Sequence, residues 1–178
     1  MNRLYLKIPT LENLKYRKEY LSDSNTMSYN IGYQKFDGYN PINGTINFTE
    51  DKWEEWLLKW TNNKERFFAY LVTKSDDKII GNVAFHYDSN YGMYMVEILI
   101  IYSCRQNGYS IDGLKLLCDV AFSQYHVNAL MNQIPIERIS AIKAHKKMGF
   151  IECQENNPDK EHKVNLLLSN RQYKNIEK

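Results

Sequence analysis

Residues 95–111, Met-Val-Glu-Ile-Leu-Ile-Ile-Tyr-Ser-Cys-Arg-Gln-Asn-Gly-Tyr-Ser-Ile, constrain the fold of this chain more than any other stretch. Val96, Ile98, Leu99, Ile100 and Ile101 are β-branched or aliphatic and favour a buried strand, with Glu97 as the lone charge among them. Beyond a short polar loop, Ile111, Leu114, Leu117, Cys118, Ala121 and Tyr125 recur at helical spacing, so a helix beginning near Tyr109 has one apolar face. A helix start leaves backbone N–H groups unpaired and carries partial positive charge, and Gly108 lets the chain approach a ligand closely. Strand, loop and helix together suit an anion. Taken alone, one glycine in a polar turn is equally just a turn, and both readings stay open here.

The rest of the chain reads as one domain over residues 1–178, a length that supports a real core. Residues 3–8 read as a strand, and Thr10 caps a helix with Leu11, Leu14 and Leu21 on its inner side. Residues 23–48 are rich in Asn, Gly, Ser and Tyr, with turn signals at Asp37-Gly38 and Asn43-Gly44, and read as a long connection. Its Tyr29, Tyr33, Phe36 and Tyr39 either wall a binding cleft or pack over the core. Thr49 caps a second helix whose Trp53, Trp56, Leu57 and Trp60 form a core stripe. Residues 67–73 and 78–87 form a hairpin. After the opening strand come a helix over 110–125, a strand over 128–133, a helix over 137–148 and strands over 150–154 and 164–168. That order is an α/β arrangement with a mixed sheet.

With 23 basic and 21 acidic side chains the formal charge is +2, so no nucleic-acid partner is called for. No run of about 18 apolar residues exists and the N-terminus lacks a signal-peptide core, so the expectation is a cytoplasmic protein without a membrane anchor. Cys104, Cys118 and Cys153 have no metal-ligand spacing and are odd in number; reduced thiols and no metal are expected.

Arg105-Gln-Asn-Gly108-Tyr-Ser110 resembles the Gln/Arg-x-x-Gly-x-Gly/Ala signature of the GNAT N-acetyltransferase superfamily, with Ser at the last position. Downstream, Ala141-Ile-Lys-Ala-His-Lys-Lys-Met-Gly-Phe150 is similar to the family's helix that ends in Gly-Phe and feeds a strand. Two motifs in the right order, with a helix and a strand between them, are more specific than either alone. The style is nearest to bacterial members that resemble ribosomal-protein acetyltransferases. The resemblance implies a mixed, mostly antiparallel central sheet of about seven strands flanked by four helices. It also implies an acetyl-CoA-dependent N-acetyltransferase moving acetyl directly to a primary amine of a small molecule or peptide, with residues 23–48 on the acceptor side. A CoA-binding sensor or partner-binding module without turnover is the alternative, and a homodimer is left open.

Carried over residue by residue, the resemblance gives the backbone of Ile98, Leu99 and Ile100 to the pantetheine arm. It gives Arg105, Gln106, Asn107, Gly108, Tyr109 and Ser110 to the phosphates. The family's usual base position falls on Met95, which cannot act, and a second falls on Gln133, which can orient a group but cannot take its proton. Glu97, on the same sheet face as Met95, is the leading base, with a raised pKa expected if its setting is apolar; a solvated sheet Glu is the alternative. His86 on the neighbouring strand is a second base candidate. His145 stands where many members place a Tyr that protects the leaving thiolate, and an imidazolium there would donate to sulfur. Arg138 replaces an Asn that contacts pantetheine and is expected near the cofactor; Tyr29 and Tyr33 are the candidate acceptor contacts. The acids Asp37, Glu50, Asp51, Glu54 and Glu55 either favour a cationic acceptor, such as a polyamine, or are solvated charges.

Overall fold

The computed structural model describes residues 3–32, 37–154 and 160–176. The chain opens with an edge strand, β1 (Leu4–Lys7), a 3₁₀ turn at Leu11–Asn13, and the helices α1 (Leu14–Ser22) and α2 (Ser24–Met27). After α3 (Trp53–Thr61) come the hairpin β2 (Arg66–Thr73) and β3 (Ile79–Asp88), then β4 (Met93–Ile100) and α4 (Tyr109–Ser123). The second half is β5 (Ala129–Pro135), α5 (Ile139–Lys147), β6 (Ile151–Cys153), β7 (Lys163–Ser169) and α6 (Asn170–Ile176).

The seven strands form one sheet in the order β1-β2-β3-β4-β5-β7-β6, mixed and mostly antiparallel as the family resemblance implies. Its one parallel pair, β4 with β5, is joined only at Tyr94–Leu130 and Met95–Met131. Beyond Met95 the two strands part, and that split organises the site.

Each sheet face buries a separate apolar layer because the strand side chains alternate. On one face Leu114, Leu117, Cys118 and Ala121 of α4 pack with Val83, Phe85, Val96, Leu130 and Leu166. On the other, Leu14, Tyr20 and Leu21 of α1 and Trp60 of α3 pack with Phe68, Tyr70, Ala84 and Leu99. The Trp stripe is core, as its spacing predicts: Trp56 meets Phe68 edge-on at 4.8 Å, and the Arg17 guanidinium lies 4.4 Å from the Trp56 ring centroid. Burial pushes the Tyr20 phenol up to about 12, opposed by neighbouring Arg17.

Three expectations need correction. Leu11 is 49% exposed, because the first turn is 3₁₀ and three residues per turn rotate it off the inner face; Leu14 and Leu21 are buried as expected. The 23–48 connection is not a plain loop: Asp23 caps α2 by accepting from the backbone N–H of Asn25 and Thr26, and Tyr39 bridges to Ile46. Tyr33 and Phe36 lie outside the described residues. Asn170–Ile176 are also helical, giving six α-helices among the described residues where four were expected. Ser169 and Gln172 form a reciprocal capping box at the start of α6, with Gln172 Oε1 accepting from Ser169 N–H and Ser169 Oγ from Gln172 N–H. Tyr173 then buries its ring and donates to Asp119 at 2.7 Å. Among the described residues no helix is long and apolar enough to cross a membrane.

Candidate active site

A cavity of about 680 Å³ starts at the loop before α4 and runs into the split between β4 and β5. Ile98, Leu99 and Ile100 form one wall and Arg138, Ala141 and His145 another, with Tyr29 from the 23–48 connection also lining it. Gln106, Gly108, Tyr109 and Ser110 line the loop end.

The open edge of β4 is the first functional element. The Ile101 N–H donates to the Ile80 carbonyl of β3 at 2.9 Å, so strand periodicity turns the peptide groups of Leu99 to β3 as well and leaves those of Ile98 and Ile100 facing the split. Leu99 therefore lines the cavity without offering it backbone bonds, a correction to its expected role. The Ile100 carbonyl already accepts from Arg105 Nε at 3.0 Å. The groups left open to an extended amide-bearing arm are the N–H and C=O of Ile98 and the N–H of Ile100.

The loop end has the backbone features that suit an anion. Gln106 and Gly108 both adopt left-handed backbone, at φ 65° and 76°. A Cβ at Gly108 would meet only Arg3 Nη2 within 4 Å, at 3.3 Å, so glycine is needed there for conformation rather than for room. Among the described residues, the first N–H of this helix with a backbone partner is that of Ile111, on the Gly108 carbonyl; those of Tyr109 and Ser110 have none. Lys143 and Lys147 add positive charge to the cavity wall. Two loop side chains are not phosphate ligands. Arg105 turns away, bonding the carbonyls of Ile100 and Thr26, and Asn107 braces the loop by donating to the carbonyls of Cys104 and Arg105. An extended edge, a left-handed loop at a helix start and flanking lysines fit the pantetheine and phosphates of acetyl-CoA.

Glu97 and His86 meet on the opposite sheet face, with Glu97 Oε1 3.6 Å from His86 Nδ1. The Glu97 side chain is 49% exposed rather than sealed in an apolar pocket. His86 is half-buried, its ring edge-on to Trp60. Tyr29 stands near this pair, its phenol pKa raised by burial and then by Glu97. Gln133 donates to Asn165 Oδ1 at 3.1 Å and takes part in a polar chain with Tyr91.

His145 does not match the imidazolium expectation. Its ring is buried at 1% exposure, Nδ1 bonds the Ala141 carbonyl and Nε2 bonds the Asn132 amide, both at 2.9 Å. Burial lowers its pKa against the opposing Ala141 bond, so the ring is neutral with both nitrogens engaged. Arg138 does line the cavity, yet its guanidinium stacks on the Tyr29 ring at 4.7 Å and donates to the Tyr29 carbonyl, clasping the 23–48 connection to the start of α5. The sequence reading missed Asn132. Its one signal is a polar residue between Leu130 and Ile134, which share its strand face and are buried.

The family model for the acetyltransferase (GNAT) domain matches residues 31–157. No curated protein matches in sequence. Among solved structures, the fold is similar to spermidine N-acetyltransferase from Vibrio cholerae in complex with CoA and spermine, at TM-score 0.76 and 16% identity over 97% of this chain and 99% of that one. It is similar to a GNAT-family acetyltransferase from Bacillus anthracis at TM-score 0.67 and 15% identity, covering 95% and 96% of the two chains. FdhC, a nucleotide-linked sugar GNAT, matches at TM-score 0.70 and 14% identity, covering 99% and 92%. At these identities the likeness is one of fold.

Proposed function

The chain belongs to the GNAT acetyltransferase family, and from that premise we propose that it transfers the acetyl group of acetyl-CoA directly to the primary amine of a small molecule held in the same ternary complex. Family membership makes it an acyltransferase with acetyl-CoA as cosubstrate. When bound, acetyl-CoA supplies an acyl group activated as a thioester. The observation that carries the reading is the split sheet, with a cavity running from an anion-binding loop into the gap between β4 and β5.

The chain's own residues divide the work. Ile98 and Ile100 hold the arm through backbone groups, and the α4 start holds the phosphates. Glu97 accepts the amine's proton, directly or through a water, with His86 beside it as the alternative base. Direct transfer is favoured over a cysteine-bound route because Cys104 is buried in the apolar core, and its one side-chain hydrogen bond among the described residues is with Ser103, not a base.

The spermidine acetyltransferase among the fold neighbours puts polyamines first among acceptors to try. The acids expected to attract a polycation give weaker support, since Asp37 pairs with Lys52 and Glu50 with Lys18. A thiol-release assay with acetyl-CoA across polyamines, aminoglycosides, amino sugars and peptide amines tests the reading. Release with one class is expected; tight CoA binding with no release to any acceptor would count against turnover. Glu97→Gln should lower kcat about 100-fold while CoA affinity by calorimetry holds. A full rate in that variant removes Glu97 as the base.

A further inference from the structure

The α5 position where the family resemblance puts a proton donor holds a ring with no nitrogen to give. A carbonyl oxygen only accepts, so the 2.9 Å bond to Ala141 fixes the His145 proton on Nδ1. Nε2 is then an acceptor, and Asn132 must present Nδ2 to it. The Ala141 carbonyl thus fixes a tautomer, and the tautomer fixes which way the Asn132 amide faces.

Asn132 is one residue beyond Met131, the last β5 residue to pair with β4, so it stands where the split opens. It is half-buried, between the fully buried Leu130 and Ile134 on its own face. An amide there serves no packing purpose. One Nδ2 hydrogen goes to His145; among the described residues the other hydrogen and Oδ1 have no protein partner, and Oδ1 is not sealed from solvent.

We propose that Asn132 donates a hydrogen bond to the thioester sulfur as it departs, and that His145 is the positioning residue that aims the amide. This rests on the acetyl-transfer reading above. A bond forms between the amine nitrogen and the acetyl carbon while the C–S bond breaks, leaving its electron pair on sulfur. The amine's proton passes to Glu97 or a water, and solvent supplies the proton that sulfur finally carries. Asn132 transfers no proton; its free N–H stabilises the charge that builds on sulfur. A neutral donor tied to a neutral imidazole does this in a setting where an imidazolium would be costly.

Asn132→Leu keeps the branched shape of the side chain and removes the amide. It should lower kcat about 10- to 100-fold with CoA affinity little changed. His145→Phe should match that loss, and the double variant should be no slower than Asn132→Leu, because His145 acts only through Asn132. His145→Gln, whose Oε1 can accept the Asn132 bond, should recover most of the rate. A full kcat in Asn132→Leu, or additive losses in the double variant, would overturn the proposal.

Two measurements on the unsubstituted chain need no activity and no variant. Nitrogen-15 NMR should find His145 protonated on Nδ1 and bare on Nε2. The thiol of bound CoA, followed by ultraviolet thiolate absorbance, should titrate below that of free CoA. A proton on Nε2, or an unshifted bound thiol, refutes the assignment. If the chain binds CoA but acetylates no amine, the functional reading fails while these two measurements still decide the role of Asn132.

Discussion

Gly81→Ala strikes the site through the strand behind it. Gly81 of β3 faces Ile100 of β4, and a Cβ built there would lie 2.0 Å from the Leu99 carbonyl oxygen and 3.1 Å from Ile100 Cα. Both are backbone atoms and cannot swing aside. Real Cβ atoms keep at least 3.0 Å from such neighbours, so β3 and β4 must part by about 1 Å. Taken up at the adjacent Ile101 N–H to Ile80 carbonyl bond, that displacement stretches 2.9 Å to about 3.9 Å, beyond hydrogen bonding. A donor and an acceptor are then left unpaired, at about 1–3 kcal/mol each, giving an expected loss of about 2–6 kcal/mol. Gly113→Ala is the matched comparison. There the Cβ meets only side-chain ends, Leu71 Cδ1 at 2.7 Å and Ile98 Cδ1 at 3.3 Å, and alanine regains about 1 kcal/mol of helix propensity. Its net effect should stay within about 1 kcal/mol of zero. Urea unfolding at unchanged m-value reads both, and CoA affinity should fall in Gly81→Ala because the strand it pushes aside, β4, is one wall of the split. Equal stability of the two variants would refute the reasoning.

Two further predictions concern helix ends and protons. Asp23→Ala removes the carboxylate that caps α2 and bonds the Thr26 hydroxyl, the main cause of its lowered pKa; about 1–2 kcal/mol should be lost, read as a lower urea midpoint. His145 has a folded-state pKa below the ordinary imidazole value of about 6.5, so the unfolded chain binds more protons once pH drops below that value. Stability should therefore fall on acidification from about pH 6.5 until the folded-state pKa is passed, and His145→Gln should flatten that part of the melting-temperature profile. An unchanged profile would show that the ring is not held neutral.

Much of the fold was legible because it rests on local rules. The apolar run 96–101, the Trp spacing of α3 and the helical repeat after Gly108 each specify an element through periodicity alone. Short elements were not, since α2 and α6 are held by one cap and by distant packing rather than by an amphipathic repeat. Gly149 illustrates the difference. Its φ of 88° is a helix-end signal visible in Gly-Phe, but the crowding of its Cβ position by Ile176 Cδ1 depends on α6, a helix that no local repeat announces.

The site divides in the same way. By itself the sequence determined the strand, the left-handed loop glycine and the helix start, because backbone conformation and a helix dipole depend on neighbours in the chain. Only the tertiary structure decided what the side chains there can do. It turned Arg105 onto the Thr26 carbonyl, set Glu97 3.6 Å from His86, stacked Arg138 on Tyr29, and buried His145 between Ala141 and Asn132. A side chain's charge and donor capacity are fixed by desolvation and by partners far away in sequence, and those exist only once β4 and β5 have parted and α5 has packed beside them.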